Sequence, residues 1–380
     1  MEQIYLDHAA TTPIHSEVLD AMYTVEKDVF GNPSSVHSFG RKARRLLDEA
    51  RLTLARSIHA SEKEIVFTSG GTEADNLAII GTALANRQKG NHIITTAQEH
   101  HAVLHTMERL EQEGFEVTYL PVNQDGRINV EDVNQALTDA TILVSIMYVN
   151  NETGVIQPIE KVGELLQKHQ AYFHTDAVQA FGLIELDVTK MGIDMLTVSA
   201  HKINGPKGIG FLYVNEKVKL NSLQFGGEQE RKRRAGTENL AGIVGFQKAV
   251  ELAMENKSIR KERYLSYKQA FLNILKKNGI DFEVNGAIEA SIASTVNISF
   301  PGTKVEALLT NFDLEGIAAS SGSACTAGSV EPSHVLTAMF GKAHECTTNS
   351  IRFSFGQANT PENIKEAAER VAKIVKRLVK

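Results

Sequence analysis

Between about residues 60 and 215, short apolar runs alternate with longer stretches in which apolar positions recur at helical spacing. The runs are "EIVFTS", "HIITTA", "EVTYLPV", "TILVSIMYV", "AYFHTDA", "DMLTVSA" and "GIGFLYV". Strands alternating with helices in this way predict an α/β layer, mostly parallel, with helices on both faces. In such sheets ligands sit in the loops beyond the carboxyl ends of the strands. Chemistry is therefore sought there.

The pattern changes at "GIVGFQKAVELAMENKSIRKERYLSYKQAFLNILKKNG", which reads as one long or two consecutive charged helices. New strand-like runs follow, "STVNISF", "GIAASSG" and "SIRFSFG", and then a final helix, "TPENIKEAAERVAKIVKRLVK". In that helix Thr360 is the expected cap, Pro361 opens the first turn, and Val371, Ile374, Val375 and Leu378 share one face. This second part reads as a smaller α+β domain starting near residue 255, against which the first dozen residues are expected to pack.

At 380 residues the chain is long enough for roughly two or three domain-sized units. Hydrophobic residues make up 42% and charged residues 23%, with a formal net charge of -6, so no global charge favours nucleic acid or an acidic membrane. The longest apolar run, residues 141 to 149, is too short to span a bilayer, and "MEQIYLDHAATTP" has no basic segment followed by an apolar core. A soluble cytoplasmic protein is expected. The two cysteines, Cys325 and Cys346, are spaced as neither a disulfide framework nor a zinc pattern, and no metal site is expected.

Three loops carry candidate chemistry. "EIVFTSGGTEADNLAIIGTAL" (64 to 84) is a strand, a glycine turn at Gly70 and Gly71, and a helix with Leu77, Ile80 and Leu84 on one stripe. Its amides, with Ser69 and Thr72, suit a phosphate, or else the turn is an ordinary one capped by Thr72. Asp176 and Gln179 end another strand; the acid is a helix cap or holds a cation, such as a protonated heterocyclic nitrogen. Lys202, between "SAH" and "INGPKGIG", is a surface lysine, a phosphate ligand, or an amine for a carbonyl. Together a phosphate turn, an acid and a lysine on one sheet match the three fixed points of pyridoxal phosphate.

The motifs "YLDHAATTP", "TSGGTEADN", "EHHAVL", "VNNETG", "HTDAVQ", "SAHKINGPKGIG", "RAGTEN", "SSGSACTAGS" and "IRFSFG" run in register from residue 4 to about 360. In this the chain resembles the cysteine desulfurases of the class V aminotransferase family, in the branch with an extended catalytic loop. The resemblance implies the aspartate-aminotransferase-like fold (pyridoxal-phosphate fold type I), with a mostly parallel seven-stranded sheet in a large domain at 15–255. A small α+β domain, 1–14 with 256–380, would carry the catalytic cysteine loop.

The resemblance also implies site roles. Lys202 would hold pyridoxal 5'-phosphate by its aldehyde, Asp176 would pair with the ring nitrogen, and Gln179 with the ring hydroxyl. Gly71, Thr72, Ser199 and His201 would bind the phosphate, and Thr237 would reach the phosphate of the other subunit of a homodimer. His100 would stack on the ring and move protons; nothing in the spacing chooses it over His101. Asn151 and Arg352 would grip the carboxylate of L-cysteine. Cys325 would take the sulfur as a persulfide and leave L-alanine; its stretch, "SSGSACTAGSVEPSH", is poor in apolar residues and reads as a mobile loop. Cys346 falls outside that motif and reads as a bystander.

The sulfur would pass to an acceptor protein, either a tRNA thiolation enzyme or an iron–sulfur scaffold. The loop reads "CTAGS" where the branch more often has Ser and Ala after the threonine. The sequence ends at Lys380 soon after its last helix, which puts delivery for tRNA thiolation on a par with cluster assembly. Rival readings are an aminotransferase or selenocysteine lyase of the same fold, or a non-catalytic phosphate- or RNA-binding protein using the basic run Arg231, Lys232, Arg233 and Arg234. That run reads first as a solvated loop, and direct nucleic-acid binding is not expected.

Overall fold

The computed structural model describes residues 3–255, 257–321 and 331–379. Cys325 and its neighbours, 322–330, lie outside the described residues. The strands, in chain order, are β1 (Ile4–Tyr5), β2 (Ile65–Thr68), β3 (His92–Thr96), β4 (Glu116–Leu120), β5 (Thr141–Ser145) and β6 (Tyr172–Asp176). They continue with β7 (Met195–Ser199), β8 (Gly210–Val214), β9 (Glu283–Val284), β10 (Thr295–Ser299), β11 (Ile317–Ala318) and β12 (Ser350–Ser354). The helices are α1 (Ser16–Asp28), α2 (Ser38–Arg56), α3 (Gly71–Asn86), α4 (His101–Gln112), α5 (Val130–Ala136), α6 (Ile159–Leu166), α7 (Leu240–Glu255), α8 (Lys257–Lys277), α9 (Val305–Leu314), α10 (His334–Phe340), α11 (Cys346–Asn349) and α12 (Pro361–Leu378).

The large sheet has seven strands in the order β2-β8-β7-β6-β5-β3-β4. Neighbours from β7 through β4 pair parallel, while β8 pairs antiparallel with both β7 and β2. Two reversals restore direction, so β2 runs with the parallel strands and only β8 opposes them. The carboxyl ends of β2, β3, β5, β6 and β7 therefore share one edge of the sheet. Strands β2, β3 and β5 through β8 are buried along their whole length, as expected when helices cover both faces. Helices α1, α2 and α7 contribute to the core on one face; α3 and α4 pack on the other.

The charged stretch after residue 240 forms two helices, α7 and α8. With α9 and α12, α8 packs on a three-stranded antiparallel sheet, β12-β10-β9, around Phe271, Phe312, Phe353 and Phe355. Strand β1 pairs parallel with β11, and Ile4 and Leu6 enter this second core. Thr360 caps α12 in a capping box with Asn363, Pro361 opens it, and Val371, Ile374 and Val375 are buried. The expected stripe on α3 needs correction: Leu77 is buried, but Leu84 is 37% exposed. Ala74, Ala78 and Gly81 join Leu77 on the buried side, and such small residues are undervalued by apolar spacing.

Candidate active site

At the shared carboxyl edge of the large sheet lies a cavity of about 430 Å³. Its wall includes Gly71 and Thr72 after β2, His100 after β3, Met147 and Asn151 after β5, and Asp176, Val178 and Gln179 after β6. Ser199, His201 and Lys202 come from the end of β7, Arg352 from β12, and Ala9, Ala10 and Ser320 from the segments beside it. Every residue expected to hold cofactor or substrate meets here except Thr237, an exposed residue elsewhere on this chain, and Cys325, which lies outside the described residues.

The turn before α3 is open. No side chain caps the helix at Gly70, so Thr72 is not the cap, and the first helical amides are left for a ligand. Gly70 has φ +152°, and a Cβ on Gly71 would come within 3.0 Å of Val178. The turn is braced from below: Glu73 accepts from the Ser69 amide at 2.7 Å and pairs with Arg234 at 2.8 Å. With Ser199, Thr72 and His201 around it, this cradle offers donors suited to a phosphate. His201 also lies 3.1 Å from the Thr11 hydroxyl.

Asp176 does cap locally, accepting from the Val178 amide at 2.8 Å, yet it also faces the cavity. Burial pushes its carboxyl up to about 6, against the pull of that amide and of Lys202. Beneath it lies Asp75, a residue sequence reasoning missed; it is 1% exposed, and burial with the neighbouring Asp176 charge holds its carboxyl well above the usual range. Asp75 is 3.7 Å from His174, whose ring is also held by Ser145 and Thr197 at 2.8 and 3.1 Å. An i,i+4-type pattern signal for Asp75 does not exist, since its neighbours His174, Asp176 and Thr197 come from β6 and β7.

Lys202 donates to the carbonyls of Ala9 and Ala10, and Gln179 donates to Ala9 as well. Burial, with the Arg352 cation, pushes the Lys202 ammonium down to about 8. His100 accepts the Ala102 amide on Nδ1 at 3.1 Å, which puts its ring proton on Nε2. His100 lines the cavity, and burial with the Lys202 charge pushes the imidazole down to about 4. His101 instead stacks on His105 at 5.0 Å and approaches His334 at 4.7 Å, outside the cavity wall. Of the two histidines, His100 lines the cavity and His101 does not.

The "VNNETG" turn separates its two asparagines. Asn150 is fully buried and accepts from the amides of Glu152 and Thr153. Asn151 reaches the cavity, and its Oδ1 has no partner among the described residues. Arg352, 5% exposed, donates Nη1 to the Asn151 carbonyl at 3.0 Å and Nη2 to Asp7 at 2.7 Å; its Nε is buried without a partner among the described residues.

The basic run is largely spent internally. Arg231 and Arg233 donate to the carbonyls of Glu62 and Lys63, Lys232 pairs with Glu228, and Arg234 with Glu73. Cys346 is buried, 3.1 Å from His344, with its thiol pushed up to about 11 by burial. Among the described residues no group of three or more His, Cys, Asp or Glu side chains is arranged to hold a metal ion, and no helix is long and apolar enough to cross a membrane.

Residues 4–366 match the aminotransferase class-V family. The chain belongs to that family. An IscS 1 protein of Bacillus subtilis (strain 168) is 60% identical over 378 residues, covering 100% of each chain. The cysteine desulfurase IscS of Clostridium botulinum (strain Hall) is 48% identical over 377 residues, 99% of this chain and 95% of that one. Among solved structures, a NifS-like protein superposes with a TM-score of 0.92 at 34% identity, covering 99% and 100%. SspA in complex with cysteine gives 0.81 at 37% identity over 92% and 98%. Class-V aminotransferases are pyridoxal phosphate enzymes. The cavity suits that group: an open anion cradle, a buried acid and a lysine of lowered pKa line it, and Asn151 Oδ1 and Arg352 Nε beside them have no partner among the described residues.

Proposed function

We infer that this chain is a pyridoxal-phosphate-dependent cysteine desulfurase, converting L-cysteine to L-alanine and a persulfide on Cys325. The observation that carries this is the convergence of Lys202, Asp176, His100 and Arg352 on a cavity whose wall includes Ser320, the residue that leads into the Cys325 stretch. Full-length similarity to the Clostridium botulinum desulfurase supports it.

In this reading Lys202 would anchor the cofactor by its aldehyde and Asp176 would pair with its ring nitrogen. Gln179 would take the ring hydroxyl; Gly71, Thr72, Ser199 and His201 would hold the phosphate, joined by Thr237 from a second copy. When bound, the cofactor supplies a sink for the electrons left at the substrate's α-carbon. Arg352 and Asn151 orient the substrate carboxylate. Lys202 and His100, both with pKa values brought down toward or below neutrality, move the proton at the α-carbon. The Cys325 thiolate attacks the substrate sulfur; the S–S bond forms as the C–S bond breaks, and the carbon keeps the electron pair and takes a proton to give alanine. No external oxidant or reductant is needed.

Two cores, one around the large sheet and one around the small sheet, support reading 15–255 as the large domain and 1–14 with 256–380 as the small one. A homodimer is supported by exposed apolar side chains on and between α1 and α2, among them Phe30 at 76% and Val36 at 88%. A cytoplasmic setting, with delivery to a tRNA thiolation enzyme or an iron–sulfur scaffold, completes the reading.

The deciding experiment is Cys325→Ser. The purified variant is expected to keep the yellow cofactor and lose cysteine-dependent alanine and sulfide formation by several orders of magnitude. Unchanged turnover would point instead to an aminotransferase-type reaction.

A further inference from the structure

The grip on Arg352 comes from an unexpected quarter. Asp7, in the N-terminal "YLDHAATTP" stretch, presents one oxygen to Arg352 Nη2 at 2.7 Å and the other to the Ser320 hydroxyl at 2.8 Å. Ser320 and Arg352 are themselves a backbone pair, each accepting the other's amide, at 3.3 and 2.6 Å. The backbone of Asp7 bridges to Ser354, two residues along the same strand. Three remote stretches are thus fastened at one point. Arg352 and Ser320 line the cavity, whereas Asp7 does not.

A carboxylate behind a buried guanidinium does two things. It removes the penalty of an uncompensated buried cation, and it fixes the rotation of the planar fork, because Nη2 is tied to Asp7 and Nη1 to the Asn151 carbonyl. The Nε, without a partner among the described residues, is then available to a ligand. A bidentate partner needs that plane held still, since misaim loses one of its two charge-assisted bonds.

We propose that Asp7 is the positioning residue of the substrate-carboxylate clamp, aiming Arg352 from behind without touching the substrate. This rests on the reading of Arg352 given above. Ser320 is its second point of attachment, so the clamp and the chain entering the Cys325 stretch share one anchor.

The test uses the holoenzyme and three variants, Asp7→Ala, Asp7→Asn and Arg352→Ala. Asp7→Ala is expected to raise KM for L-cysteine by about 10-fold or more, the scale of one charge-assisted hydrogen bond, with kcat within about 3-fold. Asp7→Asn keeps an acceptor oxygen for Nη2 and recovers a large part of that loss. A second readout is binding, followed by the colour change of the cofactor: Asp7→Ala weakens L-alanine by a similar factor and leaves ethylamine, which has no carboxylate, unaffected. If Arg352→Ala raises KM while both Asp7 variants leave it unchanged, the inference fails and the clamp stands. If Arg352→Ala also leaves KM unchanged, the clamp itself is wrong. Equal weakening of L-alanine and ethylamine, or loss of cofactor in Asp7→Asn, assigns Asp7 a general structural role and overturns the proposal.

Discussion

Lys202 donates its Nζ to the backbone carbonyl of Ala9 at 2.5 Å, across 193 positions of sequence, and to Ala10 at 2.8 Å. The charges of Asp176 and Asp7 favour the ammonium, but burial and Arg352 outweigh them, and the group sits near 8. Below that value the lysine is a cation docked on the N-terminal segment; above it, a neutral amine able to attack an aldehyde. Cofactor-free protein mixed with pyridoxal phosphate should therefore develop colour at a rate that rises with pH, with a midpoint near 8. An ordinary lysine would give a midpoint near about 10.4. Removing the cation in Arg352→Gln should shift the midpoint upward. A profile centred near the ordinary value in the unaltered protein would contradict the account.

Arg51 and Glu230 form a buried pair with two bonds of 2.6 Å, side chains 7% and 2% exposed. Glu230 also accepts the Phe67 amide, and the guanidinium lies 4.6 Å from the Phe67 ring. This pair holds a run of three non-glycine residues at positive φ, Glu230, Arg231 and Lys232, a conformation that costs roughly 1 kcal/mol or more per residue. Arg51→Ala strands a buried carboxylate and should lower unfolding free energy by about 3–5 kcal/mol in urea titration. Because Arg234, from the same loop, braces Glu73 below the phosphate turn, cofactor retention should fall with it. A stability change under about 1 kcal/mol would show that the pair does not carry the strained turn.

The layer of alternating strands and helices was legible because the strands are apolar throughout and bounded by glycine turns, and Lys202, Asp176 and Thr72 stood out as polar residues ending such runs. The antiparallel direction of β8 was not, since pairing sense leaves no mark on a buried strand that reads "GIGFLYV". The wall contributed by Ala9 and Ala10 was invisible for another reason: it acts through backbone carbonyls, and their side chains carry no chemistry. Asp7, Ser320 and Asp75 are ordinary polar residues in sequence. They gain meaning only when the fold brings together partners hundreds of positions apart, as with Asp7 and Arg352. The selection of His100, Asn151 and Arg352 rested on family resemblance, and the structure brings all three to the cavity independently of it.

Glu152, next to Asn151, is fully buried, accepts the Ser333 hydroxyl on one oxygen at 2.5 Å, and has no partner for the other among the described residues. Burial raises its carboxyl to about 7, opposed by the Ser333 bond and by Arg352. In the unfolded chain the same group titrates near about 4.3. Between those values the folded state binds more protons than the unfolded state, so this group's contribution to stability is present in acid and is lost as pH rises toward 7. Glu99 adds a slope of the same sign, being raised to about 8, while the lowered histidines His8, His100 and His201 slope the other way at lower pH. The isolating comparison is therefore Glu152→Gln against the unaltered protein, measured by denaturant unfolding at pH 5 and pH 8. The variant keeps an acceptor for Ser333 and cannot ionise, so relative to the unaltered protein it should gain about 2–3 kcal/mol over that interval. A gap that stays constant, or moves the other way, would mean that Glu152 is already charged and compensated in the fold at pH 5.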